Sequence, residues 1–164
     1  MPSKINKIAV VGTGVIGTGW IIRMLAHNKK VTAFDLNLKQ KSILIKEIKR
    51  SLPFVKKLFK KKIINLKNLT FKTSLIESLK DADFIQECAT ENYKLKKKLI
   101  SDIGKYSKPN AIISSSSSGL LPSIIFSKCK YPNRGIIGHP FNPVYMLPAV
   151  EIVPGKKTSK SILK

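Results

Sequence analysis

Ile8-Ala-Val-Val-Gly12-Thr13-Gly14-Val15-Ile16-Gly17-Thr-Gly-Trp20 decides the fold. An apolar run with no polar interruption enters three spaced glycines, and helical periodicity leaves them. The run reads as a parallel strand covered on both faces, Ile5 to Val11, and the helix as Val15 to Asn28, with Ile16, Trp20, Met24 and Leu25 near helical spacing. In a dinucleotide-binding turn each glycine has its own task. Gly12 permits the tight exit from the strand, Gly14 lets the backbone approach a pyrophosphate, and Gly17 lets the helix pack close to the sheet. The phosphates then rest on the helix's N-terminal amides, and Thr13, Gly14, Val15 and Ile16 join Gly12 and Gly17 as the expected cofactor-binding residues. Roughly 20 residues past the glycines, Val31-Thr-Ala-Phe-Asp35 forms a second apolar strand ending in an acid, where a ribose-binding carboxylate belongs.

Outward from this turn, the chain keeps alternating strand and helix. Leu38 to Arg50 reads as a helix broken near Pro53, and Phe54 to Lys62 as a second, very basic helical piece. A short strand, Leu69 to Thr73, precedes Ser74, a cap for the brief helix Leu75 to Leu79. Asp83 to Ala89 is the next buried strand, followed by Glu91 and by a helix from Tyr93 to Ile103 that carries Lys96 in its first turn. Ala111 to Ser114 enters a run of five serines, Ser114 to Ser118, and a helical piece leaves it at Pro122. Arg134 to His139 and Ala149 to Val153 complete the strands. The alternation predicts an α/β domain with a doubly wound, mostly parallel sheet of the Rossmann type.

Composition narrows the class. The 164 residues, 43% of them hydrophobic, suit one ordinary domain. Cys88 and Cys129 lack C-x-x-C spacing, and no signal peptide or membrane-length apolar run is present, so a soluble, cytoplasmic setting is expected. A net charge of +22 would suit a nucleic-acid or anionic-membrane binder, but the excess is lysine, with arginine only at positions 23, 50 and 134. A lysine-coated solvated surface is therefore expected, with no nucleic-acid or membrane partner and no metal site.

Of two histidines, His27 falls in a helix's last turn and reads as surface. His139 ends a strand, between a glycine and a proline, and Glu151 in the following strand is the plausible carboxylate to orient it. The residues alone leave a general base and a structural histidine equally open. Glu91, at a strand's carboxyl end, is well placed for function, with helix-dipole stabilisation as its other reading.

The motifs Gly12-x-Gly14-x-x-Gly17, Asp35, Glu91 to Lys96, Ser116-Ser117-Ser118, His139-Pro-Phe-Asn142-Pro143 and Val150-Glu151 together resemble the NAD-binding domain of the L-3-hydroxyacyl-CoA dehydrogenase family. Asp81 to Glu87, Ser116 to Ser123 and Gly138 to Pro148 are most similar to its L-carnitine dehydrogenase branch, and lambda-crystallin-like hydroxyacid dehydrogenases share part of the pattern. The family's acyl-CoA enzymes typically carry two aromatics after the histidine; Pro140-Phe141 departs from that and favours a small hydroxy acid.

The resemblance implies NAD as cofactor, with Asp35 on the adenosine ribose and Glu91, Lys96 and Asn142 near the cofactor. It implies that Ser117, with Ser118 as close rival, meets the substrate hydroxyl or nicotinamide region. His139 would take the proton of a 3-hydroxyl, and Glu151 would stabilise the imidazolium formed. It further implies a helical C-terminal domain that closes the site and forms a homodimer. The expected organisation is thus an NAD-binding domain over 1–156 and the start of a truncated segment over 157–164, with the helical domain absent and slow turnover alone. A non-catalytic NAD-binding or crystallin-like module and a basic nucleic-acid binder are the alternative classes.

Overall fold

The computed structural model describes residues 5–59 and 64–163. Seven strands form one sheet in the order β3-β2-β1-β4-β5-β6-β7. These are β1 Lys7–Val11, β2 Lys30–Phe34, β3 Leu69–Lys72, β4 Phe84–Glu87, β5 Ile112–Ser115, β6 Gly135–Pro140 and β7 Val150–Pro154. The first six run parallel, and β7 turns back antiparallel against β6. The helices are α1 Val15–Ala26, α2 Gln40–Leu58, α3 Leu75–Leu79, α4 Tyr93–Tyr106 and α5 Pro122–Ile125. This is the doubly wound Rossmann order, whose strand order reverses between β1 and β4 and opens a crevice at their carboxyl ends.

The apolar run of β1 is explained by burial on both faces. Ile8 and Val10 point into one core cluster, with Trp20, Ile21 and Leu25 of α1 and Leu44, Ile48 and Val55 of α2. Ala9 and Val11 point the other way, into a second cluster with Ile85, Ile100, Ile103, Ile113 and Ile125. Alternation with period two therefore places consecutive apolar residues in two different cores, and the sheet is held as the middle of three layers. Helix α1 ends where Asn28 adopts φ 56°, a left-handed cap that asparagine tolerates better than most residues.

The break expected at Pro53 does not occur: α2 runs through it as one helix of 19 residues. A proline inside a helix forfeits one backbone hydrogen bond and crowds the preceding turn. Here Pro53 and Lys49, four residues earlier, both lie on the exposed side of the helix. The buried stripe Leu44, Ile48, Ser51 and Val55 continues past the proline, and packing outweighs local propensity. The separate helix expected over 54–62 is thus the end of α2, and its residues 60–62 lie outside the described residues. Ser74 caps α3, its hydroxyl accepting from the Glu77 amide at 3.4 Å.

Candidate active site and cofactor cleft

The glycine turn joins β1 to α1 at the crevice. Gly12 has φ +98°, and a Cβ there would lie 2.9 Å from the Cys88 carbonyl oxygen, so both backbone freedom and close approach require glycine. A Cβ on Gly17 would lie 1.9 Å from the Gly12 carbonyl oxygen, which shows how tightly α1 seats on the turn. Gly14 is the opposite case: a Cβ meets nothing within 4 Å. It is also the N-cap of α1, with no side-chain cap and no acid in the first turn, so the positive end of the helix is left to a ligand.

Asp35 stands just past β2 with its carboxylate already oriented. Its Oδ2 accepts from the Thr13 amide at 3.1 Å and the Thr13 hydroxyl at 2.8 Å, and its Oδ1 from the Asn37 amide at 3.0 Å. Thr13 is buried and acts by holding Asp35, while Val15 stands 73% exposed at the rim. An open glycine, an uncapped helix start and a fixed half-buried carboxylate fit the phosphates and a ribose of a dinucleotide.

Beside the turn, Ile16, Cys88, Glu91, Ser116, Ser118 and His139 line a cleft of about 290 Å³. His139 reaches it from β6. Its register partner across the antiparallel pair is Glu151, and Nδ1 lies 2.8 Å from the Glu151 Oε2. An ionised Glu151 holds the proton on Nδ1 and leaves Nε2 as the acceptor. The imidazole side chain is 28% exposed and Glu151 58%.

The remaining residues form a network under the cleft. The Lys96 ammonium is 1% exposed and donates to both oxygens of Glu87, at 2.8 and 2.9 Å, and to the Ala89 carbonyl at 2.9 Å. Glu87 is fully buried and also accepts from the Ala89 amide at 2.6 Å and the Ser115 hydroxyl at 2.5 Å. Lys96 lies 3.6 Å from Glu91. Glu91 gathers the serine turn: one carboxylate oxygen accepts from the Ser117 hydroxyl at 2.5 Å, the Ser118 amide at 3.0 Å and the Gly119 amide at 3.2 Å. Partial burial disfavours its charge, but the Ser117 hydroxyl, these amides and Lys96 outweigh it and hold its pKa below the usual carboxylate range.

The structure therefore brings His139, Glu151, Glu91, Ser118 and the glycine turn together. Ser117 is buried with its hydroxyl turned to Glu91, and Ser118 is the exposed neighbour on the cleft. Lys96 faces its two glutamates. Asn142 lies in a second groove of about 610 Å³ that shares Gly14 and Val15 with the turn and runs along α2. Glu87, Gln86 and Trp20 are absent from the sequence-derived site. The signal for the first two was present, since consecutive polar residues inside a buried strand need partners.

Among the described residues no helix is long and apolar enough to cross a membrane, and no group of three or more candidate ligands is arranged to hold a metal ion. The chain is 45% identical over 154 residues to an L-carnitine dehydrogenase of Staphylococcus epidermidis, an overlap covering 94% of this chain and 48% of that protein. To an L-carnitine dehydrogenase of Pseudomonas putida it is 41% identical over 162 residues, 99% of this chain and 50% of that one. The chain spans about half the length of the curated relatives it matches. Among solved structures, (S)-3-hydroxybutyryl-CoA dehydrogenase from Ralstonia eutropha superposes with a TM-score of 0.88 at 28% identity, covering 97% of this chain and 57% of that one. Residues 7–164 match the 3-hydroxyacyl-CoA dehydrogenase family in its NAD binding domain, and the chain belongs to that family.

Proposed function

We propose that the chain is the cofactor-binding part of an NAD-dependent dehydrogenase that oxidises the 3-hydroxyl of a small hydroxy acid, with L-carnitine first among candidates and a 3-hydroxyacyl thioester second. The observation that carries this reading is the His139–Glu151 hydrogen bond, set by strand register at a cleft that also touches the glycine turn. When bound, NAD supplies the hydride acceptor. The protein's part is to place a proton acceptor and to stabilise charge. His139 Nε2 takes the hydroxyl proton, and Glu151 both fixes the tautomer and stabilises the imidazolium that results. The Ser118 hydroxyl, free of Glu91, orients the substrate, while Glu91 holds the turn that presents it. Asp35 selects NAD over NADP, because a 2′-phosphate would meet its carboxylate. The relatives' names support carnitine as the first candidate. A cytoplasmic setting and a homodimer belong to the same proposal; the free thiols of Cys88 and Cys129 support the former.

The test is calorimetric titration with NAD and NADP, on the chain and on Gly14→Asp, followed by dehydrogenase assays with L-carnitine and 3-hydroxybutyryl-CoA. Saturable NAD binding, weak NADP binding and loss of both in Gly14→Asp are expected. NAD binding that Gly14→Asp leaves intact refutes the placement of the cofactor on this turn.

A further inference from the structure

Ser116 is the first residue past β5, and its hydroxyl stands in an unusual hydrogen-bond position. Trp20 Nε1 on α1 donates to Oγ at 3.2 Å, and Gln86 Nε2 on β4 donates to it at 2.7 Å. An indole N–H has no acceptor alternative. The Gln86 amide is oriented by its second contact, since Nε2 also lies 3.3 Å from the Gly138 carbonyl, which would repel Oε1. A serine oxygen has two lone pairs, and both are therefore occupied by donors. Its single proton must be given away. Among the described residues the acceptor in contact with it is Cys88 Sγ at 3.3 Å, a weak one. Burial, against the Ser116 contact, pushes that thiol up to about 12, so it offers a neutral sulfur and no thiolate. A carbonyl oxygen entering the cleft outcompetes it, and a hydroxyl already polarised by two donors is a stronger donor itself.

The topology says which oxygen arrives. A dinucleotide with a ribose on Asp35, past β2, and its phosphates on the turn after β1 extends next over the carboxyl ends of β4 and β5. Ser116 sits there, ahead of His139 on β6. We infer that Ser116 is a dedicated hydrogen-bond donor to the carboxamide oxygen of the cofactor's nicotinamide, held in that role by Trp20 and Gln86. The inference rests on the dinucleotide reading above and adds a residue that fixes the orientation of the ring relative to His139.

Calorimetry with two probes, NAD and ADP-ribose, tests it on the chain and on Ser116→Ala and Ser116→Thr. ADP-ribose lacks the nicotinamide and reports whether the rest of the site is folded. Ser116→Ala should weaken NAD about five- to tenfold, the value of one hydrogen bond, with ADP-ribose unchanged, and Ser116→Thr should restore NAD binding. Unchanged NAD affinity in Ser116→Ala, or equal weakening of both probes, overturns the inference while leaving the dinucleotide reading intact. Failure of the unaltered chain to bind either probe overturns both.

Discussion

Substituting Lys96→Met keeps the length of the side chain and removes its charge, which isolates what the ammonium does under the cleft. Lys96 is 1% exposed and Glu87 is fully buried, so solvent cannot replace the lost partner. Glu87 keeps two donors, the Ala89 amide at 2.6 Å and the Ser115 hydroxyl at 2.5 Å, and loses the two from Nζ. Breaking one side of a buried ion pair costs about 3–5 kcal/mol, and the surviving donors place this case near 3 kcal/mol. Against a total of about 5–15 kcal/mol, the variant stays folded at low temperature but loses much of its margin. With a urea slope of about 2 kcal/mol/M, the midpoint should fall by about 1.5 M. Trp20, the only tryptophan and 6% exposed, reports the transition by fluorescence. Glu87→Leu combined with Lys96→Met should recover part of the loss, since an apolar pair replaces the buried ion pair while the Ser115 hydroxyl and the Ala89 amide lose their acceptor. A single variant that loses under about 1 kcal/mol, or a double variant no more stable than the single one, refutes the reasoning.

Two further outcomes follow from the same geometry. Gly17→Ala should lose several kcal/mol, because its Cβ meets the Gly12 carbonyl oxygen at 1.9 Å, whereas Gly14→Ala should unfold within about 0.5 kcal/mol of the parent because its Cβ meets nothing; equal midpoints for the two variants would contradict the packing described. Glu91→Gln should be less stable than the parent at neutral pH. Since the folded pKa of Glu91 is lowered, its contribution is complete above the ordinary glutamate value of 4.5 and is lost as pH falls through the lowered one, so the two proteins should converge in acid; a gap that widens below pH 4.5 reverses the sign of this argument.

The parts of the fold legible in the sequence are those written in local pattern. The continuous apolar run of β1 announced burial on both faces, and the glycine spacing announced the turn, since Gly12 takes a positive φ there and Gly17 packs against the Gly12 carbonyl. Pro53 misled because local propensity argued for a break while the buried stripe on either side of it, visible only once α1 and β2 supply the other wall, argued for continuity. The five serines mark the crevice by position, yet which hydroxyl turns inward depends on Glu91, 26 residues from Ser117 in the chain. Glu87 and Lys96 are likewise joined across the β4–α4 connection: a polar residue in a buried strand announces that it needs a partner, but not which side chain supplies it.

Among the described residues the antiparallel β7 is the outermost strand of the sheet, hydrogen-bonded to β6 on one side only. Glu151 therefore orients His139 from an edge strand that is paired along one side. Edge strands open locally at lower free energy than central ones. The imidazole's alignment is thus as durable as the fraying equilibrium of one edge, and whatever packs against β7 adjusts the fraction of molecules in which the proton acceptor is correctly set without touching the cleft.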